Sequence, residues 1–563
     1  MQINPKNPND LWADHLIDAL IKGGVETFCM SPGARSTPLL LAAKRHPIAQ
    51  LILHYDERGM AYHALGLSKG SRKPVALIVT SGTAVGNLLP AIMEAFHQNI
   101  PLVILSADRP QELHDCVANQ TTDQTKIFSQ FVLFEHDLPC PDHLIPLNYV
   151  SQVVAEALCS ALHTPRGPVH LNCRFRKPLT EKGFQNRVPN GRERRSSLSF
   201  GRMVLEGEEV KKIADELQHY QKGLILVGEK AEIKEDQALL ALSKRLGWPI
   251  LPDFLSPIRR LENEDGVIDA YDLILKAQKS AMELRPEAIL QLGSRFVSSE
   301  LPEWISTLNL KWHLQLSPNP RGGDPTFTIN ERAVGEIDPF LREVIASLPE
   351  ATSSDWIEKW VKLNAKIKAD IHHFFKEATS LSEPLIFHQL KDLIPSKYAL
   401  FFANSMIIRN GENFFFPRAF QGPIYANRGL SGIDGNIATA CGIAKGCKKP
   451  FIAFIGDLAF LHDLNSLPFM KELSIKLIVI NNGGGDIFHF LETGGDAPLF
   501  TTPHRISFME GAALFGICYQ RAESVRELIP LLGTPEPMII EIGTKEGGNK
   551  LIHDQLIPLL KRP

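Results

Sequence analysis

Short apolar runs recur along the chain and alternate with longer stretches whose apolar positions repeat at helical spacing. The clearest case lies between the runs Phe451–Ile455 and Leu477–Ile480. There Leu461, Leu464, Leu467 and Met470 fall at three-residue steps, which predicts strand, helix, strand and hence a parallel βαβ unit. Near the start, Asn9 is placed to cap a helix carrying Leu11, Trp12, His15, Leu16, Ala19 and Leu20 on one face, with Gly23 and Gly24 ending it. Strands are expected at Glu26–Met30, from Gln50, from Val75, from Leu102, and at Leu224–Val227, Pro249–Leu251, Ala288–Leu292, Tyr398–Ala403 and Pro537–Ile542. Continuous Val, Ile and Leu runs of this kind suit strands covered on both faces, so the alternation predicts an α/β protein with three doubly wound parallel sheets. The helix after Glu57 is dense in Ala and Gly, which predicts that another element approaches it closely.

The 563 residues are enough for several domains with large cores. Two breaks divide them. Residues 181–200 are polar and turn-rich and read as a linker, and a Leu-Pro-Glu-Ala-Thr-Ser-Ser-Asp stretch marks a boundary near 350. The expected domains are therefore 1–180, 200–350 and 355–563.

A net charge of −3 gives no support for nucleic-acid or membrane binding by bulk charge. No apolar run reaches the ~18 residues of a membrane span, and the polar N-terminus has no signal core. The eight cysteines are scattered without a Cys-x-x-Cys pair, which fits reduced thiols and a cytoplasmic location. Neither Gly-x-Gly-x-x-Gly nor Gly-x-x-x-x-Gly-Lys-Ser/Thr occurs, so a dinucleotide site is not expected.

The candidate chemistry gathers where strands end. Asp457 and Asn482 fall just past the carboxyl ends of the two strands of the βαβ unit, where open α/β sheets bind ligands. A carboxylate, an amide and the close backbone of Gly483, Gly484 and Gly485 form an oxygen-rich pocket. Mg²⁺ takes about six oxygens at ~2.0–2.1 Å and accepts phosphate and water among them. The turn Ser31–Thr37 exposes N–H groups and one arginine between a strand and a helix, a weak anion signal by itself. Glu57 lies at a strand-to-helix junction, where an acidic first turn also complements the helix dipole.

Taken together, Ser31-Pro-Gly-Ala-Arg-Ser-Thr-Pro38, His54-Tyr-Asp-Glu-Arg58, Thr80-Ser-Gly-Thr83, Ser106-Ala-Asp-Arg-Pro110, Asn427-Arg-Gly-Leu-Ser-Gly-Ile-Asp-Gly435 and Gly456-Asp-Leu458 resemble one family. It is the 2-succinyl-5-enolpyruvyl-6-hydroxy-3-cyclohexene-1-carboxylate synthases, thiamine-diphosphate enzymes of menaquinone biosynthesis. The likeness is dense in the first and third domains and thin in the middle one.

The resemblance implies three domains of the thiamine-diphosphate-binding fold. It also implies a reaction that decarboxylates 2-oxoglutarate and joins the succinyl fragment to isochorismate. Glu57 would be the cofactor-activating carboxylate. Asp457, Asn482 and the Gly484 carbonyl would hold Mg²⁺ or Mn²⁺. Pro32, Gly82 and Ile433 would contact the cofactor, Ile433 as the wedge that bends it.

Both substrates are dianions, which arginine forks suit. Arg35, Arg409 and Arg428 would act in catalysis. Arg109, Asn119, Gln120, Ser405, Ile487, Phe488 and Leu491 would bind substrate. His54, His63 and His489 read as structural.

The family pattern places the first domain of one subunit against the third of another, so a homodimer or homotetramer is implied. This chain departs from the pattern at Ala34, where serine is common, and at Ser299-Glu300, where a basic pair is expected. Two other readings stand beside this one: another thiamine-dependent 2-oxoacid decarboxylase or carboligase, and a non-catalytic binding protein of the same fold.

Overall fold

The computed structural model describes residues 7–561 apart from 182–198, 230, 232, 262–265, 279–281, 322, 351–353, 379, 417–419 and 492–495. The expected linker therefore lies mostly outside the described residues, and part of the boundary stretch near 350 does too.

Among the described residues, seventeen strands form three all-parallel sheets. The first holds β1 (Thr27–Met30), β2 (Gln50–Leu53), β3 (Val75–Val79), β4 (Leu102–Asp108), β5 (Glu135–Leu138) and β6 (Val169–Arg174), in the order 2-1-3-4-6-5. The second holds β7 (Gly223–Val227), β8 (Ile250–Pro252), β9 (Ala288–Leu292), β10 (Trp312–Ser317) and β11 (Glu331–Val334), in the order 11-10-9-7-8. The third holds β12 (Ala399–Phe402), β13 (Ile424–Tyr425), β14 (Phe451–Gly456), β15 (Ile475–Asn481), β16 (Cys518–Ala522) and β17 (Met538–Gly543). Its order, 13-12-14-15-17-16, repeats the topology of the first sheet. In both, the winding reverses between the first and third strands of the sheet, which puts the switch point beside β1 and β3 and beside β12 and β14.

Several sequence expectations need correction. The first helix, Pro8–Lys22, is capped by Asn7, whose side chain accepts from the Asn9 N–H. Pro8 has no N–H to lose at the first helical position, so the start moves two residues forward. Asn9 is buried and donates instead to the carbonyls of Arg176 and Pro178. The single helix expected between β14 and β15 is two pieces, Asp457–His462 and a 3₁₀ segment Leu464–Met470. They break at Asp463, and Pro468 sits inside the second piece. The strands β5, β6, β10, β11, β13 and β16 and the final helix Gly548–Leu560 lie outside the elements expected from sequence.

The crowding predicted around the Ala/Gly helix is real. Helix Glu57–Ser71 of the first domain packs on helix Asn436–Cys447 of the third through interlocked glycines. A Cβ on Gly66 would lie 2.1 Å from the Thr439 carbonyl oxygen, and one on Gly442 2.1 Å from that of His63. Backbone replaces side chain at this crossing, which brings the two axes close and fixes the first and third domains against each other.

The middle and third domains share one apolar core. It runs from Leu224 and Phe254 through Trp304, Trp356 and Trp360 to Phe402 and Phe454. Helix Asp355–Lys376 bridges them, and the Trp356 indole donates to the Gly223 carbonyl at 2.7 Å.

Candidate active site

The two switch points carry the predicted residues. In the third sheet, Asp457 opens helix Asp457–His462 directly after β14, and Asn482 follows β15. Asp457 is buried. Its Oδ2 accepts from the N–H groups of Gly483 at 2.8 Å and Gly484 at 2.9 Å, and its Oδ1 from Leu458 at 2.7 Å. Burial pushes its carboxyl up, against those backbone donors and a nearby histidine. That histidine is His504, whose Nε2 lies 3.3 Å from Asp457 Oδ2. Asn482 accepts from the Gly484 N–H at 3.1 Å and donates to Glu383 at 2.7 Å.

Gly483 takes φ +85°, which a side chain would strain. A Cβ on Gly484 would meet the Thr501 carbonyl oxygen at 2.7 Å. The loop is thus pressed against residues 501–504, and His504 N–H closes it onto the Gly483 carbonyl at 3.0 Å.

These groups fit a cation shared with a diphosphate. Among the described residues no three His, Cys, Asp or Glu converge as a metal site. One carboxylate and one amide leave most of an octahedral shell to backbone, water and ligand oxygens. The Gly484 carbonyl accepts one hydrogen bond, from Asp486 N–H at 3.2 Å, and keeps a second lone pair. A Cβ on Gly456 would meet nothing within 4 Å, so space lies open beside Asp457.

Arginines gather at the same switch point. Ser405 follows β12 with φ +68°, a left-handed geometry uncommon for serine, and starts helix Met406–Phe414. Arg409 on that helix donates to the Ser405 carbonyl at 2.8 Å. Burial, with the like charge of Arg428, lowers its affinity for a proton. Arg428 donates to Asn404 Oδ1 at 3.1 Å. The helix is anchored by the middle domain, where Arg259 donates to Glu412 Oε1 at 2.9 Å and to the Glu412 carbonyl at 2.6 Å.

The loop bearing Arg428 is held from two domains. Glu94 accepts from Gly429 N–H at 2.7 Å and Leu430 N–H at 2.6 Å, Arg295 donates to the Arg428 carbonyl at 2.6 Å, and Tyr62 donates to Asp434 at 2.6 Å. Ile433 on this loop is 38% exposed, its side chain turned out of the core.

In the first sheet, Ser31 to Arg35 and Thr80 to Gly82 meet past β1 and β3. A Cβ on Gly33 would lie 2.4 Å from Thr80 Cβ, so Pro32 and Gly82 stand on adjacent turns. Arg35 is buried, donates to the Phe175 carbonyl at 2.6 Å, and is lowered by burial and then by Arg109. Arg109 donates to the Asn119 carbonyl at 2.9 Å. Gln120 and Ser81 bond reciprocally, Nε2 to the Ser81 carbonyl at 2.9 Å and Oγ to the Gln120 carbonyl at 3.0 Å. Ile487 and Phe488 lie on a 3₁₀ turn Asp486–Phe490, half-buried, and Leu491 just beyond is 59% exposed.

Glu57 is the first residue of its helix, which Asp56 caps. Its carboxylate is half-exposed and has no partner among the described residues. Its neighbour Arg58 donates to the His462 carbonyl at 2.9 Å, at the far end of the helix that Asp457 begins. One chain therefore gives Glu57 no contact with Asp457. Of the three histidines, His54 and His63 stack on Phe469, and His489 Nε2 lies 3.7 Å from Asp486 Oδ1.

Ser299 precedes helix Glu300–Ser306, so no basic pair occupies that position. The middle domain instead brings Arg295 and Arg321 to a cavity of about 370 Å³ shared with Phe96 and Arg428. Glu383, Glu94, His504 and Arg295 were not expected from sequence. Each is an isolated polar residue whose partner lies far along the chain.

Residues 12–129 match the thiamine pyrophosphate enzyme N-terminal TPP-binding domain, and residues 204–402 match the middle domain of thiamine pyrophosphate enzymes. Among solved structures, benzoylformate decarboxylase from Polynucleobacter necessarius superposes with a TM-score of 0.73 at 17% identity, covering 95% of this chain and 98% of that one. The 2-succinyl-5-enolpyruvyl-6-hydroxy-3-cyclohexene-1-carboxylate synthase of Salinibacter ruber is 36% identical over 100% of this chain and 98% of its own length. That of Rubrobacter xylanophilus is 34% identical over 98% of each. With likeness of this extent across all three domains, the chain belongs to the 2-succinyl-5-enolpyruvyl-6-hydroxy-3-cyclohexene-1-carboxylate synthase family of thiamine-diphosphate-dependent enzymes.

Proposed function

We propose that the protein decarboxylates 2-oxoglutarate and adds the succinyl carbanion equivalent to isochorismate, the thiamine-diphosphate-dependent transfer of menaquinone biosynthesis. The observation that carries this reading is the meeting, at one switch point, of an Asp–Asn–glycine cradle with two half-buried arginines, Arg409 and Arg428. The first suits a cation and a diphosphate, and the second suits dicarboxylate substrates.

Bound thiamine diphosphate supplies a carbon nucleophile and an electron sink. Asp457, Asn482 and the Gly484 carbonyl would hold Mg²⁺ or Mn²⁺, which would neutralise the charge of the diphosphate. Glu57 would accept, at its carboxylate, a hydrogen bond from a protonated nitrogen of the cofactor's ring. Ile433, Pro32 and Gly82 would contact the cofactor, Ile433 through its exposed apolar side chain. Arg409 and Arg428 pair with carboxylates and lower the cost of bringing charge out of water, and Arg35 and Arg109 do the same from the first domain. Asn119, Gln120 and Ser405 orient substrate oxygens, and Ile487, Phe488 and Leu491 exclude water.

Because one chain keeps Glu57 away from Asp457, the active unit is a homodimer, or a homotetramer built from it, with each site shared by two copies. Exposed apolar side chains support association: Leu53, Tyr55, Leu430, Ile506, Met509 and Leu514 are each 48% or more exposed. The working compartment is the cytoplasm, in keeping with a described chain that has no helix long and apolar enough to cross a membrane.

The test is incubation with 2-oxoglutarate, isochorismate, thiamine diphosphate and Mg²⁺. Formation of the succinylated cyclohexene product with stoichiometric CO₂ supports the reading. CO₂ release at the same rate without isochorismate, and no joined product, would overturn it.

A further inference from the structure

Glu383 is buried at the start of helix Glu383–Leu390 and touches neither β14 nor β15 in sequence. Its carboxyl group receives three amides from three separate elements. Asn482 Nδ2, past β15, donates to Oε1 at 2.7 Å. Asn410 Nδ2, on the helix that carries Arg409, donates to Oε2 at 3.0 Å. Asn549 Nδ2, on helix Gly548–Leu560, donates to Oε2 at 3.2 Å.

A buried carboxyl group is costly unless hydrogen-bonded, and here both oxygens are. The bond to Asn482 has a consequence beyond packing. An amide has a donor end and an acceptor end, and only the acceptor can bind a cation. With Nδ2 committed to Glu383, the amide oxygen of Asn482 is turned toward the glycine loop and Asp457, where it accepts from Gly484 N–H.

We propose that Glu383 is a positioning residue for the cation site: it fixes the amide of Asn482 so that oxygen, and not nitrogen, faces the metal. This rests on the reading of Asn482 as a cation ligand. Groups that orient a metal ligand from behind commonly change metal affinity by 10–100-fold when removed.

Replacing Glu383 by Gln puts a donor where there were two acceptors. The single remaining oxygen serves Asn410 and Asn549, which share Oε2. The new amide nitrogen then meets Asn482, whose amide flips and offers N–H₂ to the cation. The double variant Glu383→Gln/Asn482→Asp reverses the donor and acceptor of the same bond. Gln donates to one Asp oxygen and the other stays on the cation, so the metal site is restored.

The measurement is Mg²⁺-dependent binding of thiamine diphosphate to the full-length protein, followed by calorimetry, with folding checked by circular dichroism. Asn482→Ala and Glu383→Gln are each expected to raise half-saturating Mg²⁺ about tenfold or more, and the double variant to recover most of that loss. Should Asn482→Ala shift the Mg²⁺ dependence while Glu383→Gln leaves it unchanged, the positioning role fails and the metal reading survives. Should Asn482→Ala leave it unchanged, both fail. If Glu383→Gln does not fold, the double variant decides: wild-type Mg²⁺ dependence supports the proposal, and a dependence as weak as that of Asn482→Ala overturns it.

Discussion

Asp457 shows how one residue takes its task from its neighbours. Burial disfavours its charge, three backbone N–H groups restore it, and His504 approaches one of its oxygens. A divalent cation would add the counter-charge that the protein only partly provides, so Asp457→Ala is expected to abolish Mg²⁺-dependent cofactor binding, read by calorimetry. Glu57→Gln keeps the size and loses the basicity, and should cut kcat by about 10²–10⁴-fold while cofactor binding is mostly kept. Arg409 donates to its own helix's first turn and faces Arg428, so a point charge does not replace its fork. Arg409→Lys should lower kcat/KM for the oxoacid about tenfold or more in steady-state assays. Asp457, Asn482 and Glu57 were legible because each sits next to a strand end that the apolar runs mark. Glu383 and His504 were not, since a lone polar residue on a helix or in a loop reads as surface until tertiary contacts bury it.

At the level of elements, the helix crossing between Glu57–Ser71 and Asn436–Cys447 is set by missing side chains. Gly66→Ala must push the helices apart and should cost about 1–3 kcal/mol, lowering the thermal midpoint by about 2 °C or more. Gly207→Ala, where a Cβ would meet nothing within 4 Å, is the control and should leave it near wild type.

The break at Asp463 has its own role. Its carboxyl accepts from Ala438 N–H at 2.9 Å and Ser466 hydroxyl at 2.7 Å, tying the helix start to the 3₁₀ segment. Burial pushes it up to about 6 from 3.8. Between those values the folded chain holds a proton that the unfolded chain has released. Its contribution is therefore full below pH ~4 and is lost as pH rises through about 6, on the order of 2–3 kcal/mol. Asp463→Asn should gain urea stability relative to wild type between pH 4 and pH 7; an unchanged difference would contradict this. The Ala/Gly pattern announced a close crossing but not its partner, and three-residue leucine spacing could not separate an α-helix from a 3₁₀ turn.

Over the whole molecule, the first and third sheets repeat one strand order, and in each the candidate residues gather at the strand ends. The alternation of apolar runs made three parallel sheets legible. It left out β11 and β16, which are largely exposed edge strands, the two-residue β13, and also β5, β6 and β10. It could not show that the first and third domains lock together within a chain while Glu57 and Asp457 stay apart, a matter of helix packing and not of pattern.

That separation is the centre of the account, and mixing two inactive variants tests it directly. Glu57→Gln and Asp457→Ala proteins, unfolded and refolded together, form mixed dimers with one intact site. The account predicts that the mixture regains product formation, up to about a quarter of wild type for random pairing. Activity no higher than the two variants measured apart would contradict a site shared between copies.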